Sequence, residues 1–203
     1  MRNDLIIFPF SGSGIEVLDS LGPKTNVYFI SDDKNLVGIK YNDIEIFSRE
    51  FINENPYMKV LTVHGSPNTY LQRQQVIDEL NINKKRFISV IHPKAFISKN
   101  AIVGYNCFIN AGVVITANVF IGNHVIVLPN SVIHHDSVVD DYSIICSNST
   151  ICGNVQVERN CYIGAATSIK NGITIGENSM IGIGTNVVKS VEKNSIIKGN
   201  PAK

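Results

Sequence analysis

The stretch YIGAATSIKNGITIGENSMIGIGTNVV, Tyr162–Val188, places a β-branched aliphatic residue at every sixth position: Ile163, Ile169, Ile175, Ile181 and Val187. Followed upstream, the phase holds through Val157, Ile151, Ile145, Val139, Ile133, Val127, Ile121, Ile115, Ile109, Val103, Ile97 and Ile91. Four residues after each comes a small or β-branched residue, among them Ala95, Cys107, Ser131, Ser137, Ser143, Ser149, Cys161, Thr167, Ser179, Thr185 and Val191. A period of six is neither a helix stripe nor simple strand alternation. It suits a short strand and a tight turn repeated around a three-sided prism, with the aliphatic residue inward and the small one at a crowded corner. Coils stacked about 4.8 Å apart then align residues eighteen positions apart into columns. Each buried Ile or Val contributes roughly 1.5–3 kcal/mol, mostly offset by chain entropy. Gly104, Gly122, Asn123, Gly164, Gly176 and Asn178 are expected at turns that need positive φ or side-chain-to-backbone hydrogen bonds. A sandwich of short strands is the alternative, but sandwiches do not keep one phase through so many turns.

Residues 1–90 read differently. DLIIFPF ends in SGSG and is followed by IEVLDSL at helical spacing; NVYFIS leads into Asp32 and Asp33, and KVLTVHG precedes the helix-like NTYLQRQQVIDELN. Strands alternating with helices predict a small parallel α/β unit. A Gly/Ser turn after its first strand would aim backbone N–H groups at an anion, or would simply be a tight turn. The division expected is an α/β unit over 1–90 and a parallel β-helix over 91–203.

The composition narrows the function classes. The chain has 203 residues, 44% hydrophobic and 17% charged, with a net charge of +1. Such a balance gives no electrostatic case for nucleic acid or an acidic membrane surface. No apolar run is long enough to span a bilayer, and the N-terminal run of about six apolar residues argues against a signal peptide. Cys107, Cys146, Cys152 and Cys161 form no CxxC pair, so neither a disulfide scaffold nor a zinc site is expected, and a cytoplasmic setting with reduced thiols is the plain reading.

The hexad register, with YIGAATSIKNGITIGENSMIGIGTNVVKS and the terminal GNPAK, resembles the left-handed β-helix acyltransferases; the hand is implied by the resemblance alone. An α/β unit ahead of that solenoid is similar to the nucleotide-sugar acetyltransferases, the bacillosamine-pathway 4-amino-sugar N-acetyltransferase and the sialic acid O-acetyltransferases in particular. The resemblance implies acetyl-CoA as co-substrate, a nucleotide-linked amino sugar as acceptor and a homotrimer with CoA in the groove between neighbours; no metal is expected, since a zinc site at the histidines would need a third ligand that the sequence does not offer. It places sugar-nucleotide binding at Ser11, Gly12, Ser13, Asp32, Asp33 and Gly65. Pro9 and Ser13 depart from the glycine and histidine usual there. It places cofactor contacts at Ile144, Gly153, Ala165 and Ile183, with Ile144 standing where a second histidine is usual.

Within the tract SVIHHDSVVDD, Ser131–Asp141, Ile133 is an inward position and His134 and His135 follow it outward. His135 shares a column with Ala117 and Gly153, so small neighbours leave space beside its ring. Asp136 is adjacent and would hold one ring nitrogen, raising the basicity of the other. A solvated histidine is the ordinary alternative; the family's x-H-[DE] motif selects His135 as general base and Asp136 as its partner. His134, His92 and His124 are expected at the surface, and His64 beside the sugar site. The expected reaction is N-acetylation of a nucleotide-linked deoxyamino sugar without an acyl-enzyme. O-acetylation of a sugar and a non-catalytic sugar-binding scaffold are the rivals.

Overall fold

The computed structural model describes residues 3–200 and Ala202; Pro201 and Lys203 of the GNPAK motif lie outside the described residues. The N-terminal unit is a five-stranded sheet of β1 (Asn3–Phe8), β2 (Thr25–Ile30), β3 (Lys40–Tyr41), β4 (Ile44–Phe47) and β5 (Lys59–Thr62), with α1 (Gly12–Glu16), α2 (Glu50–Glu54) and α3 (Arg73–Glu79) between or after them. The strand order is β3-β4-β2-β1-β5. All pairings are parallel except the β3–β4 hairpin. That hairpin escaped the sequence reading, although Asn42 and Asp43, with φ of 46° and 65°, are the residues its turn demands. β1 reads as a continuous apolar run because both of its faces are buried: Leu5 and Ile7 on one side, Ile6 and Phe8 on the other.

From Val90 the chain winds as two-residue strands on three parallel faces. The first face begins Val90–Ile91 and Phe108–Ile109, the second Phe96–Ile97 and Val114–Ile115, the third Ile102–Val103 and Phe120–Ile121. From Ile109 to Val187 every sixth aliphatic side chain is at most 1% exposed. The buried corner hydroxyls donate to carbonyls of the next coil, Ser131 to Cys146 at 2.8 Å and Ser149 to Gly164 at 2.9 Å, so these polar groups stay hydrogen-bonded inside an aliphatic prism.

The structure corrects the register in three places. Ile91 is 41% exposed, because no coil lies beneath the first one to cover it. Val191 bridges to Ile175 as a strand position, since the last coil is shortened. Gly104, Gly122, Gly164 and Gly176 are not positive-φ turn residues. A Cβ on Gly104 would lie 2.5 Å from the Gly122 carbonyl oxygen, and one on Gly176 2.5 Å from the Lys193 nitrogen, so these glycines permit close stacking of coils. Positive φ falls instead on a separate column position every six residues, including Asn106, Asn118, His124, Asn130, Asp136, Tyr142, Asn148, Asn154 and Asn160.

The α/β unit docks on the first face. Outward side chains there, Val90, Phe108, Ile126 and Ile144, share one apolar cluster with Leu5, Ile7, Phe29 and Leu61. Asn106 fastens the seam: its Oδ1 accepts from the Thr62 N–H at 2.8 Å. Arg73 of α3 is fully buried and donates to the carbonyls of Tyr142 at 3.0 Å, His64 and His124. Burial brings its guanidinium down to about 10, which leaves it a cation at neutral pH. A buried cation held by carbonyl dipoles ties the loop after β5 to two coil corners.

His124, expected at the surface, is 3% exposed in this seam. Its ring stacks on Tyr142 with centroids 4.6 Å apart, and Nδ1 lies 2.7 Å from the Asn106 amide nitrogen, which must donate to it. Burial, and then the Arg73 charge, push the imidazole down from 6.5 to about 4. Below pH 6.5 the unfolded chain therefore binds a proton that the folded chain refuses. Stability is complete above about pH 6.5 and falls on the order of 2–3 kcal/mol toward pH 4. His124→Asn keeps a residue suited to positive φ and removes the titration. Its thermal midpoint should fall less between pH 7 and pH 4.5 than that of the parent; equal falls would show that His124 is not the source.

Candidate active site

His135 and Asp136 stand at the corner between the second and third faces, where the left-handed conformation of Asp136, φ 60°, turns its carboxylate back toward the preceding side chain. His135 Nδ1 lies 2.7 Å from Asp136 Oδ2, with both side chains open to solvent. Asp136 Oδ1 accepts from the side-chain amide of Asn118, one coil earlier in the same column, at 2.9 Å. Those two donors, Asn118 first and His135 second, hold the Asp136 carboxyl below its ordinary range. An ionised Asp136 accepts, so Nδ1 carries the proton and Nε2 presents its lone pair. Gly153 is needed here for space: a Cβ on it would come within 2.7 Å of both Cε1 and Nε2 of His135. Gly153 thus lies against the ring as its place one coil after His135 predicts, whereas Asn118 was not foreseen. Its signal was available, since it precedes Asp136 by one coil of eighteen residues.

Ala165 and Ile183 share a column at the other edge of the second face, with the Gly184 N–H donating to the Ala165 carbonyl at 2.8 Å. Ile183 is 77% exposed. The structure departs from the expectation at Ile144. Its side chain is 3% exposed and packed among Val63, Tyr70, Ile126 and Cys146, so it presents almost no surface to a cofactor. Isoleucine in place of a polar residue there serves the apolar seam. Burial raises the thiols of Cys107 to about 11 and Cys161 to about 12, which makes them inert packing groups.

The residues expected to hold the sugar nucleotide collect at the carboxyl ends of the parallel strands. β1 leads one way to β2 and β4 while β5 returns on its other side, so the strand order switches between β1 and β5, where open α/β sheets bind ligands. Ser11, Gly12 and Ser13 follow β1, and Ser11 Oγ accepts from the Gly14 N–H at 3.2 Å. Gly14 admits this turn because a Cβ would lie 2.7 Å from the Pro9 carbonyl oxygen. Gly65 follows β5 with φ 138° and no room for a side chain against Ile144 and Arg73. Asp32 and Asp33 follow β2 and are exposed. Both oxygens of Asp32 are engaged by Arg49, an unforeseen partner seventeen residues later. His64 lies between: it stacks on Phe8 at 6.3 Å, its Nε2 is buried with no hydrogen-bond partner among the described residues, and burial followed by Arg73 pushes its pKa down.

Residues 87–197 match the family model described as the GMPPB C-terminal domain. No curated protein matches the sequence. Among solved structures, the acetyltransferase domain of PglB from Neisseria gonorrhoeae FA1090, in complex with acetyl coenzyme A, superposes with a TM-score of 0.86 at 23% identity, covering 100% of this chain and 98% of that one. A mutant of perosamine N-acetyltransferase from Caulobacter crescentus, in complex with CoA and GDP-perosamine, gives 0.85 at 21% identity over 99% and 95%. WeeI from Acinetobacter baumannii AYE gives 0.82 at 22% identity over 100% and 99%. These likenesses establish the fold, a left-handed hexapeptide-repeat β-helix carrying an N-terminal α/β unit.

Proposed function

We propose, for a chain that belongs to the GMPPB C-terminal domain family through residues 87–197, the transfer of an acetyl group from acetyl-CoA to the amino group of a nucleotide-linked deoxyamino sugar. The observation that carries this reading is the His135–Asp136 pair, 2.7 Å apart, with Nε2 standing over a glycine at an open coil corner. Solved structures of the same fold support it, one named as an N-acetyltransferase and bound to CoA and GDP-perosamine, the other as an acetyltransferase domain bound to acetyl coenzyme A. Residues 1–90 would hold the nucleotide-sugar and residues 91–203 the acyl donor.

Acetyl-CoA supplies an acyl carbon activated as a thioester. The sugar amine attacks that carbon, the new C–N bond forms, and the ammonium proton passes to His135 Nε2 while Asp136 stabilises the imidazolium through Nδ1. The C–S bond then breaks and the departing thiolate takes the proton, returning His135 to its starting state. Backbone N–H groups on the coil edge can stabilise the carbonyl oxygen as charge develops on it. Free CoA is measured with a thiol reagent, offering GDP-perosamine, a UDP-linked 4-amino sugar and sialic acid as acceptors. Release with an amino sugar alone supports the proposal. Release only with the hydroxyl acceptor would assign O-acetylation, and none with any acceptor would leave a binding scaffold.

The assembly belongs to the same proposal. The His135–Gly153 corner and the Ala165–Ile183 corner lie at opposite edges of one face, so a closed groove needs a second copy. Phe96 and Ile102, each 61% exposed, and Phe120, 42% exposed, give the second and third faces an apolar surface suited to one. Light scattering should return three times the 22.3 kDa chain mass. An active monomer would sink this arrangement.

A further inference from the structure

A charged cluster at the carboxyl edge of the sheet is left unused by the acyl-transfer chemistry. The Arg49 guanidinium, after β4, lies over the Phe8 ring with Cζ 5.1 Å from its centroid. Nε and Nη2 donate to the two oxygens of Asp32, the second at 2.7 Å. Nη1 stands 3.8 Å from a Glu79 oxygen, beyond hydrogen-bond reach. Among the described residues, one edge of the guanidinium is therefore committed and the other keeps its N–H donors free of hydrogen bonds. Asp33 differs from its neighbour: only Oδ1 is engaged, accepting from the Asn35 backbone and amide at 2.9 Å, and Oδ2 has no partner among the described residues. The two acids expected to act alike are in different states.

The position matters as much as the charge. Phe8 ends β1, three residues before the Ser11 turn, so Arg49 overhangs the strand that delivers that turn to the switch point. A nucleoside diphosphate brings concentrated negative charge, and the Ser11–Gly14 turn offers it only neutral donors. A guanidinium fixed on one edge by a carboxylate is preorganised to meet phosphate oxygens with the other. We propose that Arg49 binds the diphosphate of the nucleotide-sugar and that Asp32 is its positioning residue, leaving Asp33 as the acid of the pair with a free oxygen for the ligand. This rests on the nucleotide-sugar reading above.

Calorimetric titration of the full chain with UDP, UMP, GDP and GMP tests it. The parent should prefer the diphosphate of the recognised base over its monophosphate. Arg49→Met should weaken diphosphate binding about 10- to 100-fold, the range of charge-assisted hydrogen bonds, leave monophosphate binding within about twofold and so erase the preference. Arg49→Lys should keep part of it, which distinguishes lost recognition from damaged folding. Asp32→Asn should show the same selective loss and add little to Arg49→Met in the double variant. A preference that survives Arg49→Met overturns the role of Arg49. A loss in Asp32→Asn equal for monophosphate and diphosphate makes Asp32 a direct ligand and overturns its positioning role. A parent that binds none of the four nucleotides removes the nucleotide-sugar reading itself, an outcome separate from either.

Discussion

His135→Ala is expected to lower kcat by about 10²–10⁴-fold, the usual contribution of a general base, with the affinities for acetyl-CoA and sugar nucleotide retained. The substitution removes the Nε2 lone pair and disturbs little else, because the ring stands outside the coil over Gly153. His134→Ala is an internal control on the same turn: its backbone N–H donates to Ile151 in either case, and turnover should change little. Asp136→Asn should cost less than the loss of the base, because asparagine tolerates the positive φ at 136 while removing the charge that steadies the imidazolium. Turnover abolished by His134→Ala and intact in His135→Ala would overturn the assignment.

Ile121→Asp should prevent folding. Ile121 is wholly buried, paired in register with Val103 on one side and Val139 on the other inside the aliphatic column. A carboxylate there would be surrounded by the buried aliphatic side chains of the column. The cost, more than about 4 kcal/mol, is a large part of the roughly 5–15 kcal/mol by which a domain is stable. Insoluble protein or loss of the cooperative melt is the expected result, whereas Ile121→Val should cost only about 0.5–1.5 kcal/mol. Normal melting of the aspartate variant would mean that the six-residue phase is misassigned.

The solenoid was legible in sequence because its determinants are local and repeated. A side chain at every sixth position must face the axis, so the phase alone names the core from Ile109 to Val187. The space beside His135 was legible for the same reason: a coil of eighteen residues converts sequence distance into a column, and Gly153 over the histidine follows from that arithmetic, whereas His135 and Asp136 themselves were singled out by their likeness to the x-H-[DE] motif. The glycines misled because the same residue answers two demands. At 104 and 176 it is required by the approach of the next coil, a contact between chain segments that local turn chemistry does not report.

Contacts without a period were decided by tertiary structure alone. The apolar residues at 90, 108, 126 and 144 point outward by the rule of the hexad, and only docking of the α/β unit buries them. That docking turned Ile144 from an expected cofactor contact into part of a seam, drew His124 inside, and surrounded Arg73 with carbonyls from three separate segments. Arg49 reaches Asp32 across the ends of two adjacent strands, a neighbour relation set by strand order rather than by spacing. Sequence by itself determined the coil, its core and the column that sets Gly153 beside His135, since each follows from a residue's place within its own repeat. How the carboxyl edge of the α/β sheet is charged, and where it sits against the coils, depended on which surfaces met, because that is settled by burial and hydrogen bonding between segments far apart in the chain.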